Sequence, residues 1–215
     1  MSSTLPEIIY EEIDKIPVVN SPNSMYYIPL YKNEEYFASL ESYVKFLKDT
    51  ERLVRSNNRY NRYIKHIRET YGLKNCQVLS NIPITEDNDV DIEMHHGPIL
   101  TLYDICAIVL EHFIQQGWKI STFRVADQVL IEHEEGRVQT VMLSATVHEE
   151  VHERDIFINM KQAVGDINAF VRKYRKVLSD EYIDKINKYI ERSLKYDSND
   201  FGVLELNKTL YKFID

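Results

Sequence analysis

Apolar residues recur at helical spacing along most of this chain. Between about Glu35 and Ser56, the positions Tyr36, Leu40, Tyr43, Val44, Leu47, Leu53 and Val54 fall mostly three and four apart, which predicts a helix. Asn57-Asn58 breaks it, and a second helix runs from about Arg59 to Tyr71, stopped by Gly72. Cys76 to Ile82 and Val90 to His95 predict strands, the second ended sharply by Gly97-Pro98. Thr101 caps a helix to Gln116, and Gly117 stops it. Ser121 or Thr122 opens another to about Glu134, stopped by Gly136. Val138 to Leu143 predicts a short strand. A short helix carrying His148 and His152 starts at Ser144 to Thr146, and Thr146-x-x-Glu149 has the capping-box form. Ile156 to Asn159 reads as extended. Helices follow over Asp166 to Lys176 and Ser179 to Tyr196, the last with Asp180 and Glu181 in its first turn, where the helix dipole favours acids. Residues 1 to about 35 carry Pro6, Pro17, Pro22 and Pro29 without a sustained period and read as an extended arm; the tail from Asp197 reads as a loop.

This pattern predicts an α+β fold, mostly helical, with a few short strands. At 215 residues the chain fits one domain with extensions or two small ones. Hydrophobic residues at 44% and charged residues at 28% are ordinary for a soluble globular protein. The two cysteines, Cys76 and Cys106, stand far apart without a CxxC, which excludes a zinc ribbon and a disulfide framework and points to a reducing cytosol. The first residues have neither the basic nor the apolar region of a signal peptide. No stretch approaches 18 apolar residues, so no membrane partner is expected. The net charge of −8 argues mildly against general nucleic-acid binding, since phosphate contacts come from Lys and Arg.

Histidine supplies the candidate chemistry. Four of the seven histidines lie in two short segments: His95-His96, and His148 with His152. A helix places residues four apart on one face, so His148 and His152 can grip one ion. A doublet on a strand points its side chains to opposite sides, so one can bind the ion while the other does something else. An all-histidine set suits Zn²⁺ or Ni²⁺, whereas Mg²⁺ or Mn²⁺ would draw on carboxylates or water. His148-Glu149-Glu150-Val151-His152 also matches the HExxH helix of zinc metallopeptidases, but the helix is highly charged and no third ligand stands at a telling spacing.

Strand, His-His, strand, then a helix with HxxxH is the order of the ββα-metal, or HNH, nuclease site. Glu93-Met94-His95-His96 resembles the Glu-Leu-His-His segment of colicin-type DNases, and Gln139 to His148 is similar to the second strand and turn of HNH domains. The run from Val90 to about Tyr174 resembles the HNH endonucleases of large bacteriophages. The resemblance implies a small ββα-metal motif interrupted by a helical insertion, which a loop between hairpin strands tolerates. It implies His96 as general base, activating water for attack on a phosphodiester. It implies His95, His148 and His152 as ligands of one divalent ion, Zn, Ni, Mn or Mg, that stabilises the developing charge. Gln139 stands where the family usually has an Asn that braces the base. His133 and Glu93 are further candidates: His133 as a ligand, a phosphate contact or a plain helix-end residue, and Glu93, on the same strand face as His95, as a supporting partner of the ligands or a plain solvent-facing residue. The chain then divides into an arm (1–35), a basic helical region (36–75), an HNH-like core (76–160) with its helical insert (101–134), and C-terminal helices with a tail (161–215).

Arg52, Arg55, Arg59, Arg62, Lys65 and His66 would line one face of a continuous helix, interleaved with Asn and Tyr. Such a stripe predicts a DNA interface; the plainer reading is a solvated face. The expected function is therefore a metal-dependent DNA endonuclease of a phage, acting on single- or double-stranded DNA in the bacterial cytosol. The rivals are a catalytically silent phage module that binds nucleic acid or other phage proteins, and a zinc metallopeptidase.

Overall fold

The computed structural model describes residues 30–73, 75–78 and 91–196. Most of the expected arm, the second half of the expected strand over Cys76 to Ile82, Val90 and the tail from Asp197 lie outside the described residues.

The first expected helix is two. Helix α1 spans Glu34–Phe37, and α2 spans Leu40–Arg55. Ser39 takes extended backbone between them and caps α2, its hydroxyl accepting from the Ser42 N–H. Helix α2 buries Phe46, Leu47, Thr50 and Val54, one stripe at helical spacing. Asn57 caps α3 (Asn58–Thr70), its side-chain oxygen accepting from the Arg59 N–H at 2.9 Å. The asparagine pair thus starts one helix as it ends another. Strand β1 (Ile92–His96) leads through the cis Gly97–Pro98 bond to α4 (Leu102–Gln115), whose start carries a reciprocal Thr101–Asp104 capping box. Then come α5 (Thr122–Glu134), β2 (Thr140–Ser144), α6 (Ala145–Glu153), a 3₁₀ turn at Met160–Gln162, α7 (Ile167–Tyr174), a 3₁₀ turn at Arg175–Val177, and α8 (Asp180–Lys195).

Three local expectations change. The described half of the segment at 76–82 forms no strand. Gln77 instead imitates one, giving its N–H to the Met142 carbonyl at 2.8 Å while its side-chain oxygen accepts from the Met142 N–H at 2.6 Å. The strand predicted at Val138 to Leu143 begins two residues later. Thr146 lies inside α6 and forms no capping box; Ser144 occupies the cap position with no side-chain bond.

Helices α2, α4 and α5 build the centre of the core, joined by α3, α7 and α8. The α4–α5 pair expected as an insert thus lies at the centre of the helical core. Strands β1 and β2 pair antiparallel, with His95 opposite Val141, His96 opposite Thr140 and Glu93 opposite Leu143. Strand alternation splits their side chains. Met94 and Met142 join the helical core, while Val141 and Leu143 pack with Val147, Ile158, Ala163 and Cys76 in a second, smaller cluster. Among the described residues, no helix is long and apolar enough to cross a membrane.

One charge sits deep in the helical core. Glu132 is fully buried and accepts from Lys173 (2.5 Å), the Tyr174 hydroxyl (2.7 Å), Gln128 (2.5 Å) and Arg137. Burial alone would raise its pKa, but these donors outweigh it and hold the carboxyl below its ordinary 4.5. The group ties α5 to α7. Removing it takes from Lys173 its carboxylate and from Arg137 one of two, Glu135 remaining, so Glu132→Ala should cost roughly 3 kcal/mol of stability. Because the folded-state pKa is depressed, the advantage of wild type over Glu132→Gln should be fully present above pH 4.5 and shrink as the pH falls further. Denaturant unfolding of both proteins between pH 7 and pH 3 measures this; a pH-independent difference would refute the assignment.

Candidate metal centre

The register of β1 decides where its two histidines go. His95 shares a face with Glu93 and meets α6; His96 shares the other with Met94 and enters the helical core.

On the first face, His95, His148 and His152 converge, each offering a ring nitrogen, with these atoms within 4.8 Å of one another. Helix α6 supplies two of them one turn apart, as the i, i+4 spacing predicts. The His148 and His152 Nε2 atoms are 3.0 Å apart. The His148 Nδ1–H donates to Glu93 Oε2 at 2.6 Å. That bond fixes the tautomer, leaving the Nε2 lone pair of His148 turned toward its two neighbours. Glu93 therefore orients His148. The His95 ring lies edge-on to both helical histidines, with centroids 4.9 and 5.1 Å away. Burial, followed by the neighbouring His148 and His152, pulls its pKa down to about 4, so it stays a neutral nitrogen donor at physiological pH. Zn–N bonds of about 2.0–2.1 Å in tetrahedral geometry put ligand nitrogens roughly 3.3 Å apart. The cluster needs only side-chain adjustments on the order of 1 Å to reach that spacing. Gly97 makes room for His95: a Cβ there would stand 3.0 Å from His95 Nε2.

On the second face, His96 is buried, and its Nε2 lies 2.9 Å from His133 Nε2. The His133 Nδ1–H donates to the Val129 carbonyl at 2.7 Å, so His133 accepts from His96. Tyr60 stacks on His96 with an interplanar angle of 9°, and Tyr63 meets His133 edge-on. Burial pushes the His96 pKa well below its ordinary value, and burial pulls that of His133 down to about 4. The residue expected to serve as a general base thus faces away from the metal ligands with its Nε2 proton already committed. Gln139 does not brace it: Gln139 is buried, and neither polar atom of its amide has a hydrogen-bond partner among the described residues. His133, one of the further candidates, does return beside β1, but to His96 rather than to the triad.

The basic stripe is divided between α2 and α3. Arg52 pairs with Asp49 (3.5 Å), Arg55 with Glu51 (3.8 Å), Lys65 with Glu69 (3.7 Å), and Arg59 with Glu134 (2.5 Å) and Asp127. Arg62 contributes to the positive field that lowers the Glu134 pKa, after the larger effect of Arg59. Most of this charge is neutralised locally, and Arg59 serves to join α3 to α5. An expected DNA partner gains no support here.

Sequence reading missed the surroundings of the triad. Arg154, Lys185, Tyr189 and Arg192 line a cleft beside it together with His95 and His152. Two of these cations come from α8, far along the chain, and no local pattern relates them to the histidines.

The family described as Bacteriophage G278-like virion protein matches residues 5–212, and the chain belongs to that family. No curated protein and no solved structure matches it. The phage origin expected from the sequence stands. The HNH assignment does not: a virion-protein family covers nearly the whole chain, including every residue that carried the nuclease resemblance. The endonuclease reading and the wider expectation of an enzyme fall with it. Histidines in the right order identify a place where an ion can be held, which a structural protein can use as readily as a nuclease.

The buried pair gives a pH dependence. Both rings are held below the ordinary histidine value of 6.5, so the unfolded state takes up protons first on acidification. The stability they contribute is present above pH 6.5 and is lost as the pH falls toward 4. Thermal unfolding in EDTA, which removes any contribution from bound metal, should show this decline in wild type and a shallower one in a His96→Phe/His133→Leu variant. Equal slopes would overturn it.

Proposed function

We propose that this chain is a non-enzymatic structural component of a bacteriophage particle, in which a transition-metal ion held by His95, His148 and His152 fastens α6 to β1. The observation that carries the metal site is the convergence of three histidine nitrogens with a carboxylate already orienting one ring. Family membership supports the role in the particle. Neutral imidazoles favour Zn²⁺, with Ni²⁺ or Co²⁺ as close substitutes, over Mg²⁺. Partners of the chain are then other proteins of the same particle.

The ion has clear mechanical work in this fold. Helix α6 is short, its buried apolar contribution is Val147, and it ends at Arg154 in the left-handed conformation. A helix of nine residues is marginal without tertiary anchoring. Two of its side chains bound to an ion shared with β1 would fix both its position and its rotation.

Elemental analysis of protein purified without added chelator should find about one zinc per chain, lost in His148→Ala. Zn²⁺ should raise the unfolding temperature of the stripped wild type and leave that of His148→Ala unchanged. Glu93→Gln should keep the site but weaken it by about 10–100-fold. The particle arm is separate: mass spectrometry of purified virions should find the chain at a fixed copy number. Absence of metal binding removes the metal site from the proposal, and absence from virions removes the role in the particle.

A further inference from the structure

Structural zinc sites close with four protein ligands, whereas the described residues of this chain bring three. The missing side has a defined setting. Two of the three ligands, His95 and His152, line a cleft of about 410 Å³, a size ordinary for ligand sites. Beyond His96 and Thr101, which also border it, its walls are mainly apolar (Ile99, Phe157, Tyr189) or positively charged (Arg154, Lys185, Arg192), and no carboxylate is among the lining residues.

That is unusual for a protein whose net charge is −8. Several cations elsewhere on this surface face an acid, among them Arg52, Arg55, Arg59 and Lys65. In the cleft, Lys185 is held by Asp104 at 2.9 Å, and Arg192 stacks its guanidinium 4.4 Å over the Phe157 ring, a contact that orients it and leaves its charge. Arg154 stands at the end of α6, two residues beyond His152, with φ +70. That backbone region favours Gly or Asn, so an arginine there carries a conformational cost.

We propose that the cleft receives an acidic side chain, Asp or Glu, from a segment of another protein of the particle, and that its carboxylate becomes the fourth ligand of the ion held by the three histidines. One carboxylate oxygen binds the metal in place of water. The other accepts from Arg154 or Arg192, a charge-assisted geometry that a planar guanidinium supplies well. Apolar residues beside the acid cover Phe157, Tyr189 and Ile99. The ion then does two jobs: it fixes α6 within the chain, and it becomes a docking point between chains. This inference rests on the metal reading above.

The test uses the full chain loaded with Co²⁺, whose visible absorption reports coordination. The probe is the blocked dipeptide acetyl-Asp-Phe-amide, with acetyl-Asn-Phe-amide as the control. The expected result is a saturable change in the Co²⁺ bands with the Asp peptide and none with the Asn peptide. In an Arg154→Gln/Arg192→Gln variant, which adds no carboxylate that could itself reach the ion, affinity for the Asp peptide falls by about tenfold or more. Acetate should act only at much higher concentration, since it lacks the aromatic part. If Co²⁺ binds but the Asp peptide changes nothing, or binds equally well to the variant lacking both guanidinium groups, the docking proposal fails and the metal site stands. If Co²⁺ gives no ligand-field bands in wild type, both fail.

Discussion

The register between β1 and β2 is the constraint on which the site depends. Pairing His95 with Val141 sends His95 and Glu93 toward α6 and sends His96 toward the helices. A slip of one residue would exchange the two histidines, burying a metal ligand in the apolar core and presenting the wrong ring to α6. A two-stranded ladder is too weak to enforce this alone. Both of its faces are therefore covered: Met94 and Met142 are held in the helical core, Val141 and Leu143 in the cluster beneath α6, and the outer edge of β2 is engaged by Gln77 and by the Thr140–Val164 bridge. Buried polar groups reinforce the choice, because His96 finds a hydrogen-bond partner only on the side where His133 and Tyr60 stand.

Much of the fold was legible in the sequence because helix punctuation is local chemistry. Thr101 and Ser121 cap the helices they were expected to open, each accepting from a nearby backbone N–H. That His148 and His152 would share a face was readable from the i, i+4 spacing, and that one histidine of the doublet could join them from strand alternation; the choice of His95 came from the HNH resemblance. Which side of the strand would be the core was not readable. All five residues of β2 are buried, so the period of two that normally separates core from solvent is erased. The centrality of α4 and α5 was hidden for a related reason, since periodicity shows that a helix has an apolar face but not what covers it. Tyr60, Lys185 and Arg192 enter their sites from distant positions, and no spacing rule reaches them.

The misreading of function has a physical root as well. A strand histidine beside a helix bearing HxxxH is a compact way to surround one ion, and any chain that needs an ion there is drawn to the same arrangement. What separates a hydrolytic site from a structural one is what surrounds the ligands: a base within reach of bound water, or its absence. Here the second histidine of the doublet is packed beneath Tyr60 and bonded to a neutral imidazole. Its proton is part of the core's hydrogen-bond accounting.

The position of the ligands along the chain has an effect that the folded geometry does not display. His95 and His148 are separated by two whole helices, α4 and α5. An ion spanning them closes a long loop, and a cross-link of that length is worth roughly 4 kcal/mol in lost chain entropy by the polymer estimate used for disulfides. The two cysteines of this protein are free and buried, so neither supplies such a link. Any ion that remained coordinated as the fold opened would thus act chiefly on the unfolded chain, whose freedom it restricts, and would do so in a form indifferent to the redox state of its surroundings.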